Sequence, residues 1–569
     1  THVSPQSGQQ VEAVPGIVTA VRSNGFTIQD AAGDSRPETS DAVFVFSRTT
    51  PTVDIGDEVR VSGQVTEFRP TNDENNLSVT EIVLTAVSVV AREQPLPEPV
   101  LLGPGGRTVP ARMVAGDMAG DAEAFGQFAP DQSALDFFES LEGMRVQIAD
   151  AVAVGPRGGR GELPVLPANG DGITRRTLRG GLLAAPPGDA PPSIVLADGS
   201  IRTPPASVGD RFPGRTIGTL EYAFGGYHLR VDELPSLILV GREPERANAA
   251  AAPPQPDTLS VATFNVENVS PRERPAKLAR LTEAIVDGLG APDLLALQEL
   301  QDESGAADDG VVTATRTAGA LTDAILAAGG PAYEYRDIPP ENNQDGGEPG
   351  ANIRVGLLFR TDRGLALVDR PGGDAATPVS LAQDDETHET HLSVSPGRLA
   401  PDDPAWLESR KPLVAEFTFN EQRLFVIGCH FASRRGRQPL FGRFQPPASP
   451  TDAQRVEQAR LVNAFALELL AADPAARLIV LGDLNDAPGS PTLATLTGGL
   501  LTDLLDRLPE ADRYTYSFGG QAEAVDHILV SPGLLADALT PDIVHGNAEI
   551  IGAPSDHEPV VARFRLVRR

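Results

Sequence analysis

Close to the C-terminus, Ser555, Asp556 and His557 stand in a row in "APSDHEPVVARF", just before an alternating apolar run. Further apolar runs also stop on residues able to hold a cation or move a proton. They are Asn265 in "TFNVEN", Glu299 in "LLALQEL", His430 in "LFVIGCHF", Asp483 with Asn485 in "IVLGDLND", and Asp526 in "EAVDHILV". Each taken alone is ordinary turn chemistry, because Asp, Asn and Ser favour the bends that end strands. Buried-looking strands that all end on Asn, Asp, Glu or His are not explained that way. Ligands of α/β sheets gather at strand ends. An acid-rich set without Cys suits a hard, oxygen-seeking cation, Mg²⁺ or Mn²⁺, better than zinc.

These groups need elements to carry them. "LSVATFNV" reads as a strand, and "PAKLARLTEAIVDGLG" as a helix with Leu278, Leu281, Ile285 and Leu289 on one face. "DLLALQE" and "RLIVLGD" read as buried strands, and 412–419 with 422–430 as a hairpin-like pair. A long helix is expected from Thr451 to about residue 472, opened by a T-x-x-Q capping box and striped by Val456, Ala459, Val462, Ala466 and Leu469. Strands alternating with helices predict an α/β domain over 258–569.

The rest of the chain reads differently. Residues 1–13 are polar and expected to be flexible. Residues 14–98 hold about five short strands, the pattern of a small all-β barrel of OB type. Residues 99–245 are again rich in strands, Gly and Pro. There "VGDRFPGRTIGTLEYAF" (208–224) echoes "IGDEVRVSGQVTEF" (55–68), which points to a second OB-like unit, although Gly-Asp before a strand is also a common turn. "ERANAAAAPPQPD" marks an Ala/Pro linker over 246–257.

At 569 residues the chain is too long for one core. No run reaches the length of a membrane-spanning helix. The chain starts at Thr1, which fits removal of a leader or trimming of the product, and no signal peptide is present in it. Cys429 is the only cysteine, so intrachain disulfides and Cys-based zinc sites are excluded, and its apolar strand predicts a core position. The net charge of −31 repels polyanions at long range, so binding nucleic acid requires a local basic patch or bound cations. Lys277 and Lys411 are the only lysines, and Arg carries the remaining positive charge. Arg434, Arg435, Arg437 and Arg443, just after His430, are candidates for such a patch, with a solvated loop as the alternative. Of the four aromatics in 14–98, Phe26, Phe44, Phe46 and Phe68, alternation predicts several in the core, which argues for a structural or positioning role of that barrel.

The ordered set Asn265, Gln298-Glu299, Gly482-Asp483-Leu484-Asn485, Asp526 and Ser555-Asp556-His557 resembles the endonuclease/exonuclease/phosphatase superfamily, the deoxyribonuclease I-like fold. Together with 342–360, 430–447 and 513–531, it is similar to multidomain bacterial extracellular nucleases that join an OB-like module to this domain. One departure is the Ser433-Arg434-Arg435-Gly436-Arg437 turn, where such proteins usually carry a Ser-Lys-Gly-Gly-Asp type turn.

The resemblance implies a four-layer α/β sandwich of two mixed sheets flanked by helices. It implies that Glu299 and Asn265 hold Mg²⁺ or Mn²⁺, one or two ions, with Asp556 as a ligand or its orienter and Glu267 at a bound water. Calcium is an alternative structural ion. His557 would face the phosphate with Asp526 behind it. Asp483 would take a proton from water or bind a second ion, and Asn485 would orient water or phosphate. His430 would donate to phosphate or protonate the leaving oxygen. Arg410, Arg354, Arg434, Arg435 and Arg437 would contact phosphate or nucleic acid. The implied activity is secreted or cell-surface bacterial hydrolysis of DNA, with RNA as a further substrate, by a monomer without an obligatory protein partner. Alternatives are a phospholipid phosphodiesterase of the same fold, a phosphomonoesterase, and a non-enzymatic surface protein.

Overall fold

The computed structural model describes residues 2–240 and 255–568. The expected linker lies outside the described residues except for 255–257. Two compact units form, and their borders are not contiguous in sequence: Thr1–Gly241 with Gly436–Ser449 and Gly519–Gln521, and Arg242–Arg435 with Pro450–Phe518 and Ala522–Arg569.

In the first unit, β1 (Gln10–Arg22), β2 (Gly25–Gln29), β3 (Ala42–Phe46), β4 (Glu58–Phe68) and β5 (Val79–Ala91) close into a barrel in the order β1-β2-β3-β5-β4. β3 and β5 run parallel, and the other neighbours are antiparallel. Inward positions alternate with outward ones along the strands. Val18, Phe26, Ile28, Val45, Val59, Val61, Val65 and Ile82 fill the interior. Only Phe26 of the four phenylalanines joins that core. Phe44 and Phe46 flank inward Val45 and therefore face outward, and Phe68 is half-exposed.

A second ring follows the same plan. β6 (Arg145–Ala153), β7 (Leu163–Leu166), β8 (Ile194–Ala197), β9 (Arg211–Ala223) and β10 (Gly226–Glu233) close through β6-β7-β8-β10-β9 and back to β6. The third and fifth strands are again the parallel pair. The two echoing segments of the sequence thus supply the fourth strand of each ring, β4 and β9.

Two expectations need correction here. The N-terminus is not loose: His2 is buried, its Nε2 2.7 Å from Asp136 Oδ1 and its Nδ1 3.3 Å from Glu139 Oε2. Nor is 258–569 one uninterrupted domain. Phe441 packs edge-on against Phe138 and Tyr227, and Tyr222 donates its hydroxyl to the Phe441 carbonyl at 3.0 Å. Residues Phe444–Gln445 pair with Gly120–Asp121, and Arg443 grips Asp121 through Nε at 2.9 Å and Nη2 at 2.5 Å. An apolar ring and a paired charge hold this segment in the first unit, and no local sequence pattern announces it.

The second unit is built on two sheets. The first contains β11 (Thr258–Val269), β12 (Leu294–Leu300), β13 (Glu334–Arg336) and β14 (Arg354–Phe359). β15 (Leu365–Leu367), β16 (Leu413–Phe419), β17 (Gln422–His430), β18 (Leu478–Asp483), β19 (Thr502–Asp503) and β20 (Asp526–Val530) make the second. β21 (Asp542–Ile543) and β22 (Val560–Arg565) return to the first. The orders are β13-β14-β12-β11-β22-β21 and β15-β16-β17-β18-β20-β19. Successive residues of each central strand serve different cores. Val261, Leu294, Ala296, Leu424, Val426, Ile479 and Leu481 meet between the sheets. Phe264, Leu295 and Leu297 pack outward onto α1 (Pro275–Glu283) and α2 (Thr315–Ala327). Phe425, Ile427, Cys429, Leu478 and Val480 pack outward onto α3 (Asp452–Ala472). The result is a helix–sheet–sheet–helix sandwich. The capping box of α3 does not form. Thr451 Oγ1 donates to the Ser433 carbonyl, and Gln454 donates to the carbonyls of Ala405 and Leu407, so both side chains tie the helix to loops instead.

Burial alone lowers the His2 pKa, but the carboxylates of Asp136 and Glu139 outweigh it and raise it to about 9. Its stabilising contribution is full below the unfolded value of about 6.5 and is lost as pH climbs through 9. The first unit's melting temperature should therefore fall between neutral pH and pH above 9, and His2→Gln should flatten that slope in a pH series of thermal melts. Phe441→Ala should cost about 2 kcal/mol in denaturant unfolding of the first unit, below the range for a fully buried Phe because this ring is only partly buried.

Candidate active site

Sheet register brings the strand-end groups together. In the parallel pair β17–β18, His430 lies beside Asp483, and in the antiparallel pair β18–β20, Asp483 lies beside Asp526. Three consecutive strands of one sheet thus end on His, Asp and Asp side by side. In the other sheet Asn265 lies beside Gln298, and Glu299 follows. β22 runs antiparallel to β11, which carries the loop before it, with His557, back to Asn265. Ser555 Oγ donates to the Asn265 carbonyl at 2.7 Å and accepts the His557 amide at 3.0 Å.

Asp483 is the hub. It is 2% exposed. One oxygen accepts from Asn265 Nδ2 at 3.1 Å and lies 3.5 Å from His430 Nε2 and 3.9 Å from His557 Nε2. The other accepts the Asn485 amide at 2.8 Å. The same Asn265 amide group also donates to Glu299 Oε1 at 3.1 Å. His557 Nδ1 meets Asp526 Oδ2 at 2.7 Å, and the Asp526 amide donates to Thr515 Oγ1 at 3.0 Å. Tyr516 lays its ring 4.9 Å from that of His557. Glu267, Glu299 and Asn485 take left-handed backbone angles, φ 53°, 61° and 52°. Each such residue costs on the order of 1 kcal/mol, and strain of this kind collects at functional sites.

The two histidines are driven apart electrostatically. Burial works against a charged His557, but Asp526, Asp483 and Asp556 outweigh it and hold its pKa well above the ordinary value. Burial, together with Arg410 and His557, holds His430 well below, so it stays neutral. Burial pushes the Asp483 carboxyl up to about 7; His557 pulls it down, while Asp526 and Glu299 add to the rise.

A cleft of about 830 Å³ meets this cluster at Glu299, Arg410 and His430 and is lined elsewhere by Asn343, Gly347, Glu408 and Arg435. Arg410 is buried and donates through Nη2 to the Phe431 carbonyl at 2.5 Å, while its Nε has no partner among the described residues. Asp483, Asp526 and His557 offer ligand atoms within 4.8 Å of one another, a buried group compact enough for one ion. The oxygen donors at Asn265 and Glu299 suit a hard cation as well. Two carboxylates there share one amide group, and Asp526 Oδ1 is buried without a hydrogen-bond partner among the described residues.

Asn265, Glu299, His430, Asp483, Asn485, Asp526 and His557 gather, with Asp556 at the half-exposed edge, 4.0 Å from His557 Nε2. Glu267 is exposed, its amide donating to Asn265 Oδ1 at 3.0 Å. Arg410 and Arg435 line the cleft. Arg354, Arg434 and Arg443 are corrections, while Arg437 is exposed. Arg354 is 1% exposed and spends its guanidinium on Asp337 and the carbonyls of Val312 and Asn352, holding loops against the first sheet. Arg434 is turned inward onto Asn485, Asp486 and Glu523. Arg437 and Arg443 belong to the segment that folds with the first unit. Thr515 and Tyr516 lie within 513–531 but carry no sequence signal of their own, because spacings of eleven residues to Asp526 and forty-one to His557 are not periodic.

Residues 262–557 match the Endonuclease/Exonuclease/phosphatase family, and residues 101–238 match a domain of unknown function (DUF8508). A search among curated proteins gives no match. Among solved structures, D. rerio TDP2 complexed with single strand DNA product is 17% identical, covers 54% of this chain and 98% of its own, and has a TM-score of 0.34. The Bacteroides thetaiotaomicron mannosyl-6-phosphatase is 17% identical over 53% of this chain and 98% of its own, TM-score 0.31. The human Nocturnin catalytic domain with bound sulfate is 14% identical over 55% and 95%, TM-score 0.33.

Asp526→Asn should remove the strongest influence that keeps His557 charged, leaving burial to depress it. In an NMR titration of the imidazole, the His557 midpoint should drop from well above 6.5 to near or below it, and the His430 midpoint should rise as the neighbouring charge is lost, while burial and Arg410 still hold it low.

Proposed function

The chain belongs to the endonuclease/exonuclease/phosphatase family, whose members hydrolyse phosphate esters with divalent metals, and from that premise we propose that it is a metal-dependent nuclease acting on the phosphodiester bonds of DNA. The observation that carries the reading is the charged His557–Asp526 pair set against the Asp483 carboxylate, with Arg410 and the Asn265–Glu299 pair in the same cluster. We read the two five-stranded rings of the first unit as OB-type modules, which their shared strand order supports.

Glu299 and Asn265, with Asp556 at the edge, would hold Mg²⁺ or Mn²⁺, which when bound supplies charge neutralisation at the phosphate oxygens. The protein's own groups divide the remaining work. Arg410, whose Nε has no partner among the described residues, would turn its guanidinium to a phosphate oxygen, a pairing Arg geometry favours. His557, held as a cation by Asp526, donates from Nε2 to the phosphate as negative charge builds in the transition state. Asp483, with its carboxyl near neutrality, takes the proton of the attacking water. Asn485 orients that water, and neutral His430 donates a hydrogen bond rather than a full proton. Arg435 at the cleft wall meets the flanking backbone. Direct attack fits the site, since the one cysteine is buried in the core.

One feature supports a second reading. Asp308, Glu348 and Glu408 also line the cleft. Their charge opposes a polyanion and suits a substrate with a single phosphate. Supercoiled plasmid incubated with Mg²⁺, Mn²⁺ or EDTA decides between them. Nicking is expected with metal, none with EDTA, and a loss of about 100-fold or more in His557→Ala. Intact plasmid alongside turnover of a small phosphomonoester would select the second reading. If DNA is the substrate, Glu348→Gln with Glu408→Gln should raise kcat/KM at low salt, with the gain shrinking as NaCl screens the cleft.

A further inference from the structure

Arg434 and Arg435 are adjacent in sequence and opposite in placement. Arg435 is exposed on the cleft wall. The Arg434 side chain is only 20% exposed, and each of its three nitrogens has an acceptor. Nε donates to the Asn485 carbonyl at 2.9 Å, Nη1 to Glu523 Oε1 at 2.6 Å, and Nη2 lies 3.5 Å from Asp486 Oδ1. These acceptors sit on two different approaches to the site, the loop after Asp483 and the segment three residues before Asp526.

We propose that Arg434 is a positioning residue whose planar fork ties the Asn485 loop to the Glu523 segment and thereby keeps Asn485 and Asp483 aligned with Asp526. It deepens the phosphodiesterase reading and rests on it. The left-handed backbone of Asn485 is one that Asn adopts with help from local hydrogen bonds, and here several groups supply them. Its amide is held by Asp483 and its side chain by the Phe431 carbonyl at 3.2 Å, so Arg434 closes the third side through the carbonyl. Asp486 is anchored from beyond. Its Oδ2 accepts from Arg455 Nε at 3.2 Å and Thr492 Oγ1 at 2.7 Å. Its carbonyl lies 3.0 Å from Nε2 of His527, whose Nδ1 lies 2.7 Å from Asp503. His527 neighbours Asp526 on β20 but faces the other side of the sheet. The loop that presents Asn485 is therefore braced from both faces of the sheet, and Arg434 is the member that reaches both approaches. With these three acceptors a lysine keeps the charge but not the clamp, since one ammonium on a flexible stem cannot serve three acceptors in a fixed plane.

The test compares Arg434→Gln, Arg434→Lys, Arg434→Ala and Arg435→Gln in the full chain, on supercoiled plasmid and on bis(p-nitrophenyl) phosphate. For Arg434→Gln and Arg434→Lys, kcat should fall about 100-fold on both substrates, as for an ångström-scale misplacement, with KM and NaCl dependence as in wild type. Millimolar guanidinium should return part of the rate to Arg434→Ala. Arg435→Gln should instead raise KM and flatten the salt dependence on plasmid. Wild-type kcat in Arg434→Gln, or a raised KM with a flattened salt dependence, overturns the proposal. Hydrogen exchange supplies a readout that needs no substrate. Amides of 484–487 and 522–526 should exchange faster in Arg434→Gln, with the core of α3 unchanged. Unchanged exchange in those loops, or faster exchange everywhere, overturns the clamp. If the wild type cleaves no phosphodiester, the nuclease reading falls and exchange alone decides the clamp.

Discussion

A carboxylate removed from water must be compensated, and in the second unit that constraint falls on Asp483. Two hydrogen bonds, from the Asn265 side chain and the Asn485 amide, reach its oxygens, and two imidazoles stand within 4 Å. The cationic His557, at 3.9 Å, offsets only part of the cost of taking that charge out of water. The carboxyl consequently rests near neutrality, poised between holding a proton and giving it up. The opposite charges of the surroundings follow from this. One histidine is held cationic by a second buried Asp, while the other is kept neutral beside Arg410.

The sandwich makes such a cluster affordable. Central strands that bury both faces give their side chains to packing along the apolar run, and polar groups emerge at its edge, as His430 and Asp483 do at the ends of β17 and β18 and Asp526 at the start of β20. Because neighbouring strands are locked in register by their ladders, their terminal residues are adjacent as well. His430, Asp483 and Asp526 need no special loop to meet; the hydrogen bonds of β17, β18 and β20 place them. Left-handed turns at Glu267, Glu299 and Asn485 then aim groups that straight strands would not.

The arginines show how charge is distributed in a chain with a net charge of −31. Three of the six flagged near the site are occupied within the fold. Arg354 and Arg434 satisfy buried carbonyls and carboxylates, and Arg443 pairs with Asp121 inside the first unit. Arg410 and Arg435 are left facing the cleft, so basic residues clustered in sequence overstate the basic surface available to an anion.

What the sequence determined by itself was whatever short-range pattern encodes. Alternation of apolar and polar positions revealed the barrel strands, continuous apolar runs revealed the buried strands of the sandwich, helical spacing revealed α1 and α3, and the edges of the apolar runs marked Asn265, Glu299, His430, Asp483, Asp526 and His557. The echo between 55–68 and 208–224 was legible too, and both segments fill the same place in their rings. Only tertiary structure decided the rest. Phe44, Phe46 and Phe68 face out of the barrel because strand register, not residue type, chooses the face. Thr451 and Gln454 serve loops rather than a helix cap, because those carbonyls came within reach on folding. Residues 436–449 join the first unit through Phe441 and Arg443, and Arg434 turns inward while Arg435 does not. The physical reason is common to all of these: a side chain's partner is selected by distance in space, and local sequence carries no record of which distant acceptor will be near.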